Sequence, residues 1–168
     1  MQNICLKNLK ENIVLFQSEL LVYDAIYERI QGARKFYPNF ENWYYSKVIP
    51  DIITNKREII LEQRNDKVVG LSIIKFDEKK LCTLKIFDEY INKGYGLKLF
   101  NKSFEKLETD KPFLTVSEEK YNEFKTFYIN YLEKNWVIIK EKNEISLIID
   151  DATTRYENFI KNNPNIET

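Results

Sequence analysis

The sequence predicts a mixed α/β fold, a mostly antiparallel central sheet flanked by helices, in one domain over residues 1–150 with a polar tail over 151–168. Three observations carry this. Apolar residues recur at helical spacing on both sides of a middle region where strand-like runs dominate. The connections inside that region are too short for anything but antiparallel neighbours. A pair of glycines then separates the third strand from an amphipathic helix and a fourth strand, an order that permits a parallel pair. A chain of 168 residues is long enough for one full core and too short for two ordinary domains.

The elements follow in order. Ile4-Cys5-Leu6 reads as a short first strand. Ile13, Phe16, Leu20, Tyr23, Ile26 and Ile30 mark a helix from about Leu9 to Ile30, with Gly32 as its stop. Asn39 is placed to cap a second helix, which buries Phe40, Trp43, Tyr44, Val48 and Ile49 and ends or kinks at Pro50. The aromatic run Phe36, Tyr37, Phe40, Trp43, Tyr44 and Tyr45 reads as core, part of it available to line a substrate cleft. Glu58 to Gln63 and Lys67 to Phe76 form a hairpin about Arg64-Asn65-Asp66. Asp77 to Lys80 turns the chain into a third strand, Leu81 to Phe87, where Leu84 and Ile86 share a face. Leu97, Phe100, Phe104 and Leu107 space out a helix after the glycines. Phe113 to Val116 is the fourth strand and Glu118 to Lys134 a long helix. Trp136 to Lys140 and Ile145 to Ile149 pair about Asn143.

Composition narrows the function. Lysine plus arginine and aspartate plus glutamate stand at 26 each, a flat balance that argues against a dedicated nucleic-acid binder. There is no histidine, which removes imidazole zinc sites and histidine triads. Cys5 and Cys82 lie in no metal-ligand spacing, so no metal site is expected, and the compartment reads as reducing and cytoplasmic. No leader-like segment opens the sequence, and no apolar stretch approaches membrane-spanning length.

Two of the four glycines fall in Lys93-Gly94-Tyr95-Gly96, between a strand and a helix. Glycine there lets the backbone turn tightly and approach a ligand. The amides of Asn92 through Leu97 would face outward at the start of the helix, a natural phosphate or pyrophosphate site, though such glycines also serve as plain turn residues. A Walker A loop needs Gly-Lys followed by Ser or Thr, which is absent, and a dinucleotide fold needs a third glycine.

Leu84-Lys85-Ile86-Phe87-Asp88-Glu89-Tyr90-Ile91-Asn92-Lys93-Gly94-Tyr95-Gly96 resembles the central motif of the GCN5-related N-acetyltransferases (GNAT). In that family a strand leads to Glu-Tyr, then Arg or Gln, two residues, Gly, one residue, and Gly or Ala. The order of elements from about Arg57 to Ile149 is similar as well. The resemblance implies a V-shaped splay between two parallel central strands, Leu81–Phe87 and Phe113–Val116. It implies acetyl-CoA as acyl donor, with the backbone of Ile86 and Asp88 pairing with the pantetheine arm. Asn92, Lys93, Gly94, Tyr95, Gly96 and Leu97 would hold the pyrophosphate. The family's Arg or Gln falls on Ile91, whose side chain donates no hydrogen bond, leaving the phosphates to backbone amides with Lys93 or Lys98.

A second resemblance lies at Tyr131-Leu132-Glu133-Lys134-Asn135-Trp136, where the family shows Tyr, three residues, then Gly-Phe. It makes Tyr131 the candidate general acid for the departing thiolate, with Tyr128 as runner-up; packing against the sheet is the alternative role for Tyr131. A strand amide near Ile86 would stabilise the oxyanion. The base that deprotonates the amine is left among Glu89, Glu118, Glu119 and a water chain, and the glutamates at 118 and 119 also suit a helix N-terminus. Cys82, mid-strand and with no basic partner evident, reads as a small buried residue. The expected function is therefore transfer of an acetyl group from acetyl-CoA to a primary amine of a small molecule or protein, by a chain that is compatible with a homodimer. A catalytically silent acyl-CoA-binding module and a toxin-like acetyltransferase of aminoacyl-tRNA are the alternatives.

Overall fold

The structure is a computed structural model that describes residues 21–109, 112–124, 136–141 and 144–149. The expected strand at Ile4–Leu6, the first part of the first helix, the end of the long helix with Tyr128 and Tyr131, and the tail lie outside these. The chain divides into two compact units, Met1–Ile49 and Pro50–Thr168, and each is described by itself.

In the first unit, α1 covers 21–30 and passes into a 3-10 turn, Gln31–Lys35. Gly32 lies inside that turn with no left-handed backbone, so it does not stop the helix as expected. The next helix, α2, is Phe40–Trp43. Asn39 precedes it as anticipated, but its side chain makes no capping bond. A π-helical turn, Tyr44–Val48, follows and leads into α3, Ile49–Ile53. Pro50 therefore neither ends the helix nor sits in an ordinary ladder. It lacks an amide hydrogen, and the widened turn just before it is where the helical bonding changes register. Phe40, Tyr44 and Val48 are buried, Tyr27 stacks among Phe40, Tyr44 and Tyr45, and the Tyr44 hydroxyl donates to the Tyr23 carbonyl at 2.8 Å.

The second unit is built on a six-stranded sheet in the order β1-β2-β3-β4-β6-β5. These strands are β1 (Arg57–Arg64), β2 (Lys67–Lys75), β3 (Lys80–Ile86), β4 (Phe113–Ser117), β5 (Trp136–Glu141) and β6 (Glu144–Ile149). All neighbours are antiparallel except β3 and β4, which run parallel. The expected hairpin between β1 and β2 turns on Asn65 and Asp66, both with positive φ (48° and 61°). That pair of left-handed residues matches the right-handed twist of the strands it joins, and Asn and Asp tolerate it best after glycine.

Helix α4, Tyr95–Leu107, packs on β1, β2 and β3. It buries Leu99, Phe100, Phe104 and Leu107 against Ile60, Ile74, Leu81 and Leu114. Facing residues on β1, β2 and β3 follow from the ladder: Ile60 opposes Ser72, and Ser72 opposes Leu84. The other face of β2, carrying Val69, Leu71 and Ile73, is buried as well. A strand covered on both faces reads as a nearly continuous apolar run, as Val68 to Ile74 does. Helix α5, Glu118–Phe124, begins directly after β4 and carries Glu118 and Glu119 in its first turn.

Candidate active site

The parallel pair is short. β3 meets β4 only at Lys80–Phe113 and Leu81–Leu114. One residue later β3 has a bulge: Ile73 lies opposite Thr83 and Ile74 opposite Leu81, so Cys82 is the extra residue. A bulge bends its strand and sharpens the local twist. Beyond it β3 stays with β2 as far as Ile86, while β4 continues against β6 as far as Ser117. The sheet therefore splits at the carboxyl ends of its two parallel strands, the splay that the resemblance implies.

The edge that faces this split has a definite polarity. The Phe87 amide donates to the Val69 carbonyl at 2.9 Å. Backbone groups alternate along a strand, so Lys85 and Thr83 also turn toward β2, and Leu84 and Ile86 turn toward the split. Ile86 thus lies where the sequence places it, with its amide on the open side. Asp88 lies past the strand, in a 3-10 turn Asp88–Tyr90, and its exposed carboxylate pairs with Lys85 at 2.8 Å. Glu89 is in the same turn, exposed.

Gly70, which the sequence reading passed over, shapes the floor. It sits opposite Ile86, and a Cβ there would come 2.6 Å from Ile86 Cδ1 and 2.7 Å from the Lys85 carbonyl oxygen. Only glycine lets β2 and the end of β3 approach this closely. A lone glycine inside a strand pattern was the available signal.

The loop from Ile91 to Gly94 carries the chain from β3 to α4. Asn92 and Gly94 both have positive φ, 59° and 77°. Gly94 is the N-cap of α4, with no side-chain capping bond, and a Cβ on it would meet nothing within 4 Å. Glycine is therefore required at 94 by the backbone angle and not by crowding. Gly96 is in the first turn of α4. Among the described residues, the amides of Asn92, Lys93 and Gly94 find no backbone partner, and those of Tyr95, Gly96 and Leu97 are free by the geometry of a helix start. The first bonded amide, Lys98, reaches the Gly94 carbonyl at 3.4 Å. Lys93 lies over the Tyr90 ring, 5.7 Å from its centre, and Ile91 is 51% exposed. Ile86, Asn92, Lys93, Gly94, Tyr95, Gly96 and Leu97 are thus gathered at one end of the sheet, beside the split.

Two charged clusters border this arrangement. Arg57 donates from Nε to Asp51 Oδ2 at 2.7 Å and from Nη1 to Cys82 Sγ at 3.0 Å. Cys82 thus has the basic partner that the sequence does not reveal. Burial nevertheless pushes its thiol pKa up, against the lowering by Lys80 and Arg57, so it is a neutral acceptor and a poor nucleophile. On β1, Glu62 is 1% exposed and holds two cations, Lys102 of α4 and Arg64. Among the described residues no group of three or more acidic or cysteine side chains is placed to hold a metal, and no helix is long and apolar enough to cross a membrane.

No protein-family model matches the sequence, and no curated protein matches it. Solved structures do. An acetyltransferase assigned to the GNAT family from Desulfovibrio desulfuricans superposes with a TM-score of 0.52 at 12% identity, over 64% of this chain and 77% of that one. PaiA N-acetyltransferase from Thermoplasma acidophilum, in complex with coenzyme A, gives 0.49 at 16% identity over 64% and 75%. Naa50 from Arabidopsis thaliana, with a bisubstrate analogue, gives 0.49 at 17% over 62% and 80%. The fold is that of the GNAT acetyltransferases.

Proposed function

We infer that the chain is an N-acetyltransferase that transfers an acetyl group from acetyl-CoA to a primary amine of a small molecule or protein. The observation that carries this is the coincidence of the split between β3 and β4 with the amide-rich start of α4. An extended amide-bearing arm fits the open edge of β3, where Leu84 and Ile86 offer unused backbone groups as an added strand would use them. A pyrophosphate fits the cluster of free amides from Asn92 to Leu97. The close approach allowed by Gly70 fixes the edge on which the arm would lie.

In this reading the Ile86 amide faces the thioester carbonyl and stabilises the charge that develops on its oxygen. Tyr131 supplies a proton to the leaving thiolate, since a phenol remains protonated at neutral pH. Glu89, exposed in the turn after β3, accepts the amine proton, directly or through water; Glu118 and Glu119, exposed at the head of α5, are the alternatives. A cytoplasmic setting belongs to the same reading. Ile91 favours one rival, a catalytically silent acyl-CoA-binding module, because this exposed position presents no donor to the phosphates.

Thermal unfolding with acetyl-CoA, longer acyl-CoAs and CoA tests the reading. A ligand present at about 100 times its Kd stabilises by about 2.7 kcal/mol, a clear rise in Tm. No shift with any of them sinks the acyl-CoA site. A shift without turnover across a broad amine panel selects the silent module.

A further inference from the structure

The start of α4 is poorly secured by its own sequence. Gly94 brings no capping side chain, and the first helical hydrogen bond, from Lys98 to Gly94, is long at 3.4 Å. Yet this turn holds the amides on which the proposed cofactor site depends. Its anchor comes from another strand. Arg64, the last residue of β1, places its guanidinium carbon 5.5 Å from the centre of the Tyr95 ring, and Tyr95 is the first residue of α4. The same guanidinium forms an ion pair with Glu62, Nη2 to Oε1 at 2.9 Å, and Lys102, two turns further along α4, donates to Glu62 Oε2. Tyr95, Arg64, Glu62 and Lys102 thus close a circuit that ties the first turn of the helix to its third through the edge strand.

The energetics favour a fixed circuit over a chance contact. Glu62 is 1% exposed, and a buried carboxylate is tolerated only while its cations stay in place. Arg64 Nε is buried with no hydrogen-bond partner among the described residues. The guanidinium forgoes that bond in the position where it covers Tyr95, and a cation over a ring partly offsets the loss. A second pair joins the same two elements further from the loop, Lys106 to Glu58 at 3.1 Å, with both side chains well exposed. An exposed pair of that kind contributes little and orders nothing.

We propose that Arg64 is the positioning residue of the phosphate loop: braced by Glu62, it holds Tyr95 and so presets the amides at the start of α4, work left undone by the apolar Ile91. Its consequence for cofactor binding rests on the acetyl-CoA reading above; its effect on the loop does not.

Hydrogen exchange on the ligand-free protein separates the two. Arg64→Met keeps apolar cover on Tyr95 and removes the charge. Exchange at Lys98, Leu99 and Phe100 is expected to rise about 3- to 10-fold, with the last turn of α4 unchanged. Lys106→Met is expected to leave those first-turn amides at wild-type rates, and Arg64→Lys to recover part of the protection. In Tyr95→Leu, the further change Arg64→Met is expected to add little. In steady-state kinetics Arg64→Met is expected to raise KM for acetyl-CoA by a similar factor with kcat unchanged. Wild-type exchange at Lys98 to Phe100 in Arg64→Met, an equal rise along all of α4, or faster exchange with an unaltered KM overturns the proposal. Failure of the wild-type protein to bind acetyl-CoA overturns the function reading and leaves the exchange result to judge the brace.

Discussion

Gly70 and Ile86 face each other across β2 and β3 with no room for a methyl group between them: a Cβ on Gly70 would lie 2.6 Å from Ile86 Cδ1. The isoleucine tip can rotate away, but the Lys85 carbonyl oxygen at 2.7 Å belongs to the backbone and cannot. Gly70→Ala is therefore expected to push the end of β3 outward. Overpacking of this kind costs roughly 1–3 kcal/mol. Urea unfolding should show that loss, and titration with acetyl-CoA should show weakened binding beyond what partial unfolding explains.

Gly94 answers a different demand. Its φ of 77° is strained for any residue with a Cβ, although nothing crowds the site. Gly94→Ala is expected to destabilise by about 1 kcal/mol, from the backbone alone. Gly94→Asn should cost less and Gly94→Val more. If the three variants were equally stable, the left-handed turn would not be what glycine provides there.

The buried serines Ser72 and Ser103 make an asymmetric pair. Ser103 Oγ donates to the Leu99 carbonyl at 2.7 Å, so the 2.7 Å contact with Ser72 must be one in which Ser72 donates. Ser103→Ala leaves the Ser72 hydroxyl buried without an acceptor, at a cost of about 1–3 kcal/mol. Ser72→Ala leaves the Ser103 bond to Leu99 intact and should cost less. The double variant should be no worse than Ser103→Ala. Denaturant midpoints at constant slope measure all three.

Cys82 gives a pH signature. Burial raises its thiol pKa in the folded chain above the unfolded value of about 8.5. Below that value both states keep the proton and the contribution is whole. Above it the unfolded chain gives up its proton first, so stability falls as pH rises, by at most about 1.4 kcal/mol per pH unit for one group. The stability of wild type relative to Cys82→Ala should accordingly shrink between about pH 7.5 and about pH 9.5. A constant difference across that range would mean that the thiol titrates alike in both states.

Much of this was legible because it depends on local sequence. Asn65-Asp66 between alternating runs defines a hairpin, and the structure gives both residues left-handed angles. The strand, glycines, helix and strand from Leu81 to Val116 permit a parallel pair, which the structure shows, and the split is what the resemblance at Leu84 to Gly96 implies. Features fixed by distant partners were not legible. Nothing local marks Glu62 as buried, and its burial goes with an ion pair to Lys102, forty residues away. The partner of Cys82 is Arg57, twenty-five residues earlier. The bulge at Cys82 has no glycine to mark it. Asn39 has the residue type of a cap without its bond, because a capping residue type does not by itself fix the side-chain geometry.

The two residue pairs that join β3 to β4 have a mechanical meaning. They divide the sheet into two three-stranded leaves, β1-β2-β3 and β4-β6-β5, sewn together by the shortest seam in the ladder. Helix α4 lies on the first leaf, α5 on the second, and Leu114 carries the second leaf into the core beneath α4. A ligand arm laid along the open edge of β3 would lengthen that seam from the far end. Occupancy would then act as a stitch, and the amides flanking the split, Leu84 and Ile86 on one leaf and Thr115 on the other, would report it as slowed opening of the whole sheet.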